Sequence, residues 1–202
     1  MEAKLNVAVF ISGGGTNLQS LIDAASSPEF PARIALVISS SKKAYGITRA
    51  ENAGIPALIL RKKDFNSDSD LSSAILEALK EHSIDVICLA GYLKLVPKEI
   101  VRSYRNRILN IHPALLPKFG GKGMYGMRVH QAVLESGERV SGPTVHVVDE
   151  IYDNGEILAQ REVPVIPGED PESLQKRVLE QEHRVYPEVL KRICEEIQSG
   201  KR

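Results

Sequence analysis

Cysteine is scarce in this chain of 202 residues, which holds only Cys88, inside an apolar run, and Cys194, in a charged C-terminal segment. Two isolated cysteines provide neither a disulfide framework nor a pair with metal-ligand spacing. Sparse, unpaired cysteine is typical of a reducing compartment, so we expect the protein to be cytoplasmic.

Net charge and long apolar runs are also missing. Twenty-six basic residues balance 26 acidic ones, and no run of Lys and Arg alternates with aromatic residues, so we expect no nucleic-acid partner. No apolar segment approaches the length of a membrane span or of a signal-peptide core, so we expect no membrane partner. The length fits one domain over residues 1–202.

The first half of the chain alternates short apolar, β-branched runs with segments of helical periodicity. Strands are predicted over 5–11, 34–38, 57–60, 85–90 and 107–112, and helices from 18 onward and over 45–53, 70–81 and 97–102. Alternation of this kind predicts an α/β fold with a doubly wound, mostly parallel sheet of Rossmann type.

The pattern changes after residue 112. A glycine-rich loop is predicted over 118–126 and a helix over 129–136. Two strands are predicted over 144–148 and 156–165, and a final helix from 170 onward. The two strands, joined by an acidic turn over 149–155, form an antiparallel C-terminal extension. Asp170 and Pro171 suit the start of the last helix, whereas Pro187 is expected to break or kink it.

The segment Ser12-Gly13-Gly14-Gly15-Thr16-Asn17 lies between the first strand and the first helix. Its backbone N–H groups, hydroxyls and amide at a helix N-terminus favour an anion such as phosphate, and three glycines exceed what a tight turn needs. The Walker pattern fails because no Gly-Lys-Ser/Thr follows. The dinucleotide pattern fails because Leu18 replaces its third glycine, so a phosphate monoester is the better prediction.

Asn110 and His112 share one face of a strand, because successive side chains alternate, and Pro113 ends that strand. An amide can donate to a developing oxyanion, and an imidazole can donate a second bond or shuttle a proton. A lone histidine here would be an ordinary strand-end residue. The pair favours carbonyl chemistry.

The turn over 149–155 supplies the candidate carboxylate partners of His112. Asp153 is the first choice, with Asp149 and Glu150 as rivals. A carboxylate beside His112 would favour the imidazolium form and position a water molecule. The alternative is a solvated acidic turn with no role in chemistry.

Two more histidines lie near these segments in the sequence. His146 shares a strand face with Thr144 and is expected to line the same cleft, the alternative being a half-buried strand residue. Histidines 112, 130 and 146 with Asp153 lack the spacing of a metal site, so no metal is expected.

Six motifs together resemble the folate-dependent phosphoribosylglycinamide formyltransferase family: Ile11–Asn17, Leu89–Tyr92, Asn110–Pro117, Val145–Asp149, Asp153–Gly155 and Gln181–His183. The resemblance covers nearly the whole chain. It implies transfer of a formyl group from formyltetrahydrofolate, the reduced-folate co-substrate, to the amine of glycinamide ribonucleotide in purine biosynthesis. It also implies a nucleotide-binding half, 1–105, and a catalytic and folate-binding half, 106–202.

The resemblance implies a role for individual residues. Asn110, His112 and Asp153 match the catalytic trio, and Glu182 matches a carboxylate that contacts the ribose or glycinamide portion. The phosphate matches Gly15, Thr16 and Asn17. The folate pocket matches Leu89, Ala90, Gly91, Tyr92, Leu93, Lys94, Leu95, Val96, Val148, Asp149 and Glu150, and His130 matches a histidine before the following helix.

The chain departs from the family at two places. The loop over 118–126 is longer than the family's short Pro-Gly segment, and Asp68 stands where many members carry Arg, with Lys62 or Lys63 as a substitute. The alternatives are formyltetrahydrofolate hydrolase, in which water replaces the amine, and a non-catalytic folate- or nucleotide-binding module. We expect a monomer or a homodimer.

Overall fold

The protein has a central sheet with helices on both faces. The computed structural model describes residues 3–202. The strands are β1 Leu5–Ile11, β2 Ala32–Ser39, β3 Ala57–Ile59, β4 Val86–Leu89, β5 Ile108–His112, β6 Val140–Ser141, β7 Thr144–Val147, β8 Ile157–Gln160 and β9 Val163–Pro164. The helices are α1 Thr16–Ala25, α2 Gly46–Asn52, α3 Asp68–Glu81, α4 Lys98–Ser103, α5 Met127–Glu135 and α6 Pro171–Gln198, with a 3₁₀ helix at Lys62–Asp64.

Seven strands form the main sheet in the order β3-β2-β1-β4-β5-β7-β8. The first five are parallel, and β7 and β8 extend the sheet in antiparallel fashion. The predicted α/β class, parallel sheet and antiparallel extension are therefore confirmed. Because the strand order reverses between β1 and β4, a crevice opens there at the carboxyl ends of the strands.

Each face of the sheet has its own buried cluster. On one face α1 and α6 pack through residues such as Leu18, Leu21 and Val189. On the other face α3 and α4 pack through Ile75 and Ile100. Burial on both faces explains the continuous apolar runs of the parallel strands. Between residues 3 and 202, no helix is long and apolar enough to cross a membrane.

The expected break in the last helix is wrong, because α6 continues through Pro187. A proline inside a helix removes one backbone hydrogen bond and costs about 3 kcal/mol. The residues around it, Val185, Tyr186 and Val189, are buried against the sheet. Their burial offsets that cost, since each large apolar side chain contributes about 1.5–3 kcal/mol.

The predicted strand over 156–165 is instead two strands in different sheets. β8 pairs with β7 in the main sheet, whereas β9 pairs with β6 in a separate two-stranded sheet. The segments between β6 and β7 and between β8 and β9 bend side by side. The bends lie at Gly142, which has φ 140°, and at Arg161, whose N–H donates to the carbonyl of Pro143. Glycine fits this corner because a Cβ on Gly142 would overlap the carbonyl of Arg161. The alternating pattern of the sequence does not show such a bend.

Candidate active site

A cavity of about 700 Å³ opens at the carboxyl ends of β4 and β5. Residues from both halves of the chain line it. The predicted site residues on its wall are Thr16, Asn17, Leu89, Gly91, Tyr92, Leu93, Lys94, Leu95, Val96, Asn110, His112, His130, His146, Val148, Asp149, Asp153 and Glu182. The structure thus brings most of the predicted residues to one cleft.

Asp153 is the carboxylate that reaches the histidines. Its Oδ2 lies 3.7 Å from His112 Nδ1, and its Oδ1 lies 3.5 Å from His146 Nε2. The backbone N–H of Gly121 donates to Oδ2 at 2.8 Å. A left-handed backbone conformation, φ 52°, turns the Asp153 side chain into the cleft.

The two rival carboxylates are engaged elsewhere. Asp149 accepts hydrogen bonds from Ile151 N and Asn154 Nδ2, although it also lines the cavity. Glu150 forms ion pairs with Lys98 and Arg102 and does not line the cavity.

His112 is buried and donates Nε2–H to the carbonyl of Phe119 at 2.8 Å. A carbonyl only accepts, so the proton lies on Nε2 and the other nitrogen, Nδ1, faces Asp153. Burial lowers the pKa of His112, and this effect outweighs the opposing influence of Asp153 and of the Phe119 carbonyl. Asp153 raises the pKa of His112, as expected of a neighbouring carboxylate, but the net pKa is lowered and favours the neutral imidazole.

Asn110 and His146 are opposite each other in the β5–β7 pairing. His146 Nδ1 contacts the carbonyl of Val147 at 2.9 Å, so this nitrogen carries the proton. Nε2 is therefore an acceptor, and Asn110 Nδ2 donates to it at 3.0 Å. His146 is buried and lines the cleft, as expected.

The electrostatics of Asp153 favour its ionised form. Burial raises its pKa, but the neighbouring imidazoles of His146 and His112 and the hydrogen bond from the Gly121 N–H together outweigh burial, and the net pKa is lowered. The cleft thus places a carboxylate between two imidazoles.

The glycine loop adjoins this group at the start of α1. Gly15 is the N-cap residue and has φ 70°, and a Cβ there would lie 2.7 Å from the Cα of Gly46. Asn17 Nδ2 donates to the buried Glu182 at 2.5 Å. Burial raises the pKa of Glu182 to about 7, although the bond from Asn17 opposes that shift.

The segment after β4 forms a largely apolar wall of the cleft. Within this segment, which the resemblance assigns to folate, Leu93 and Leu95 are half exposed, Tyr92 stacks edge-on against Phe10, and Ala90 is buried behind the wall. Ser12 Oγ accepts the N–H of Leu93, which ties this wall to the glycine loop.

Asp68 and its predicted substitutes lie outside the cleft. Asp68 begins α3 and pairs with Lys62, and both side chains are exposed. Neither they nor Lys63 line the cavity. Position 68 and its two neighbouring lysines therefore contribute no charge to this site.

Several cleft residues were not predicted from the sequence. The largest group lies on the glycine-rich loop and the first turn of α5: Gly121, Lys122, Gly123, Met124, Tyr125, Gly126 and Arg128. Ile111, Pro113, Tyr152, Gln175 and Leu179 also line the cavity, and Ile151 lies at the end of the predicted segment that begins at Val148. The glycine content of the loop was the one available signal. Over residues 3–202, no group of three His, Cys, Asp or Glu side chains has the arrangement of a metal site.

Comparison with known proteins assigns the chain to a family. Residues 5–190 match the formyl transferase family. Phosphoribosylglycinamide formyltransferase from Haemophilus influenzae is 42% identical over 92% of this chain and 85% of its own length. The chloroplastic enzyme of that name from Arabidopsis thaliana is 49% identical over 94% of this chain, which spans 65% of that protein.

Solved structures agree with the sequence matches. Phosphoribosylglycinamide formyltransferase from Brucella melitensis aligns with a TM-score of 0.88 and 46% identity, over 95% of this chain and 96% of that one. Glycinamide ribonucleotide transformylase 1 from Symbiobacterium toebii aligns with a TM-score of 0.89 and 41% identity, over 95% and 88%. The chain belongs to the formyl transferase family.

Proposed function

We propose that this protein transfers the formyl group of formyltetrahydrofolate to the amine of glycinamide ribonucleotide. One observation carries the proposal: Asn110, His112 and Asp153 converge in a single cleft that also holds the glycine loop. The names of the matched relatives support the same reaction.

The cleft has a suitable surface for each substrate. In this proposal the glycine loop holds the phosphate through Gly15, Thr16 and Asn17, with Glu182 next to the ribose or glycinamide portion. The flat pterin ring fits between the Leu89–Val96 wall and Val148, with its polar edge towards backbone groups of that wall. The two substrates then meet at Asn110 and His112.

The amine attacks the formyl carbon directly. A bond forms between the amine nitrogen and that carbon while the carbonyl electrons move to oxygen, and an N–H of Asn110 stabilises the oxyanion. The bond from carbon to the folate nitrogen then breaks. The proton lost by the amine passes to the folate nitrogen, so no covalent enzyme intermediate forms.

The lowered pKa of His112 suits this proton transfer. A neutral imidazole can accept the amine proton at Nδ1, the nitrogen that faces Asp153. The ionised Asp153 then stabilises the imidazolium until the proton moves on to the leaving nitrogen.

Formyl transfer measured with purified variants tests this assignment. His112→Ala and Asp153→Asn should each lower kcat/KM by at least about 100-fold, the usual range for loss of acid–base or oxyanion assistance. His82→Ala and Asp70→Asn are matched controls outside the cleft and should keep near wild-type turnover. Near wild-type activity of both site variants would contradict the proposal.

The hydrolase alternative is tested with the donor alone. Deformylation of formyltetrahydrofolate should depend strictly on the ribonucleotide acceptor. Equal rates with and without acceptor would identify a hydrolase instead, and binding of both substrates without turnover would indicate a non-catalytic module.

Compartment and assembly remain predictions. We propose a cytoplasmic protein, from its cysteine content, that acts on small molecules as a monomer or homodimer. The Arabidopsis relative is named chloroplastic, so fractionation of the source cells is the relevant measurement.

A further inference from the structure

Cationic side chains are few in the cleft. Three cationic side chains, Lys94, Lys122 and Arg128, line the cavity. Lys94 belongs to the apolar wall after β4, whereas Lys122 lies in the glycine-rich loop and Arg128 in the first turn of α5. Neither Lys122 nor Arg128 forms an ion pair within residues 3–202.

A strip on α6 runs along the cavity from the glycine loop towards α5. Gln175, Leu179 and Glu182 line the cavity at helical spacing, and seven residues of helix span about 10 Å. Glu182 contacts Asn17 at one end of the strip. At the other end α5 packs on α6 around Leu174. The strip itself carries no cation.

The start of α5 is well suited to an anion. Gly126 is its N-cap residue and makes no side-chain cap, and the first turn has no acidic residue. The N–H groups of a first turn have no partner within the helix and carry the positive end of its dipole.

His130 is a second, independent indication of a ligand at this end of the cleft. It lines the cavity, is 2% exposed, and its Nδ1 has no hydrogen-bond partner within residues 3–202. Burial lowers its pKa to about 4, so the ring is neutral. Buried polar atoms are normally paired with protein, with ordered water or with a bound ion or ligand.

The glycine loop alone does not balance the charge of a phosphate. Arg49, the cation beside it, donates to Gly14 O and Gln19 and does not line the cavity. Glu182 and Asp153 instead contribute carboxyl groups to the same cleft. A phosphate dianion at Gly15–Asn17 needs a counter-charge, and Lys122 and Arg128 are the cations that line this cavity outside the apolar wall.

We propose that Lys122 and Arg128 bind the phosphate of the acceptor, completing the site that the glycine loop begins. The identity of the acceptor rests on the proposed function. Arg128 makes a cation–π contact with Tyr125, 5.3 Å from guanidinium carbon to ring centroid, and this contact restricts the position of the guanidinium. The loop and the first turn of α5 thereby supply the cations that the α6 strip does not carry.

Steady-state kinetics with two acceptors test this assignment. Lys122→Gln and Arg128→Gln should each raise KM for glycinamide ribonucleotide about tenfold, as expected for one lost charge-assisted bond, with kcat and the folate KM unchanged. For the dephosphorylated riboside, the same variants should behave like the parent. Lys118→Gln is the matched control, since Lys118 is in the same loop but pairs with Glu138 outside the cavity.

Two outcomes would overturn the assignment. An equal loss with the phosphorylated and dephosphorylated acceptors would show a structural role for the loop. A rise in the folate KM instead of the acceptor KM would mean that Lys122 and Arg128 bind the carboxylates of the donor. Lys94→Gln, on the proposed folate wall, is the reference for such an effect on the folate KM.

Direct binding separates this proposal from the proposed function. Calorimetric titration with ribose 5-phosphate, compared with ribose, should show phosphate-dependent binding that weakens about tenfold in each variant. A chain that binds ribose 5-phosphate in this way but transfers no formyl group would refute the function alone. Equal ribose 5-phosphate affinity in the parent and in both variants would refute the phosphate site alone.

Discussion

His146 determines what Asn110 can present to the cleft. A primary amide offers either N–H groups or a carbonyl oxygen, and an oxyanion needs the N–H. The proton on His146 Nδ1, held by the Val147 carbonyl, leaves Nε2 as an acceptor that only the NH₂ group of Asn110 can satisfy. His146 is therefore a positioning residue that acts through Asn110.

Replacing His146 tests this coupling. His146→Leu should lower kcat about 10- to 100-fold with little change in either KM, because it frees the amide to rotate rather than removing a substrate contact. His146→Gln, which retains an acceptor, should recover part of the loss. In an Asn110→Ala background, His146→Leu should have no further effect on kcat, and an additive loss there would contradict the coupling.

At the scale of single residues, the sequence predicts side chains on regular strands well. Alternation along β5 places Asn110 and His112 on one face, as observed. The choice of Asp153 over its rivals depends on a left-handed turn that no local pattern specifies. The Phe119 carbonyl and the Gly121 N–H were missed because backbone contacts leave no trace in residue identity.

At the scale of elements, α1 and α2 meet at a pair of glycines. Gly15 caps α1 with φ 70°, and Gly46 begins α2 with its N–H donating to Gly13. A Cβ on Gly15 would lie 2.7 Å from backbone of α2, which cannot move as a side chain would. The approach of these two helices thus fixes the shape of the glycine loop.

Gly15→Ala should destabilise the protein by about 1–3 kcal/mol and weaken binding of the acceptor, because it adds both backbone strain and a backbone clash. Gly14→Ala is the matched control, since a Cβ there meets nothing within 4 Å and φ is not positive. Urea unfolding followed by circular dichroism measures the difference. Equal stability of the two variants would contradict the packing argument.

The boundaries of elements show where sequence patterns fail. The parallel strands and their crossover helices follow from periodicity because each buries one continuous face. Continuation of α6 through Pro187, and the corner between β8 and β9, both depend on tertiary packing that outweighs local preference. A sequence window of one element contains no information on that packing.

At the scale of the whole molecule, α6 joins the two halves of the chain. Its Tyr186 hydroxyl lies 3.0 Å from the carbonyl oxygens of both Leu89 and Leu109, which belong to the neighbouring strands β4 and β5. Its Glu182 bonds to Asn17 in the first half. The main sheet also contains strands from both halves of the chain. We propose on this basis that 1–105 and 106–202 fold as one cooperative domain.

Glu182 makes the stability of that domain depend on pH. Its pKa rises from 4.5 in the unfolded chain to about 7 in the buried site. Between these values the native state keeps a proton that the unfolded state releases, so stability must fall as pH rises through this window. A shift of this size corresponds to about 3 kcal/mol.

Glu182→Gln stays neutral and should abolish this contribution. The free energy of unfolding of the parent, minus that of Glu182→Gln, should decrease by about 3 kcal/mol between pH 4.5 and pH 8. Glu180→Gln, on the exposed face of the same helix, should run parallel to the parent. Urea titrations by circular dichroism measure all three proteins and also show whether one transition covers both halves. Parallel pH curves for the parent and Glu182→Gln would mean that Asn17 and its surroundings accommodate the carboxylate, because only a proton retained by the folded state can produce the difference.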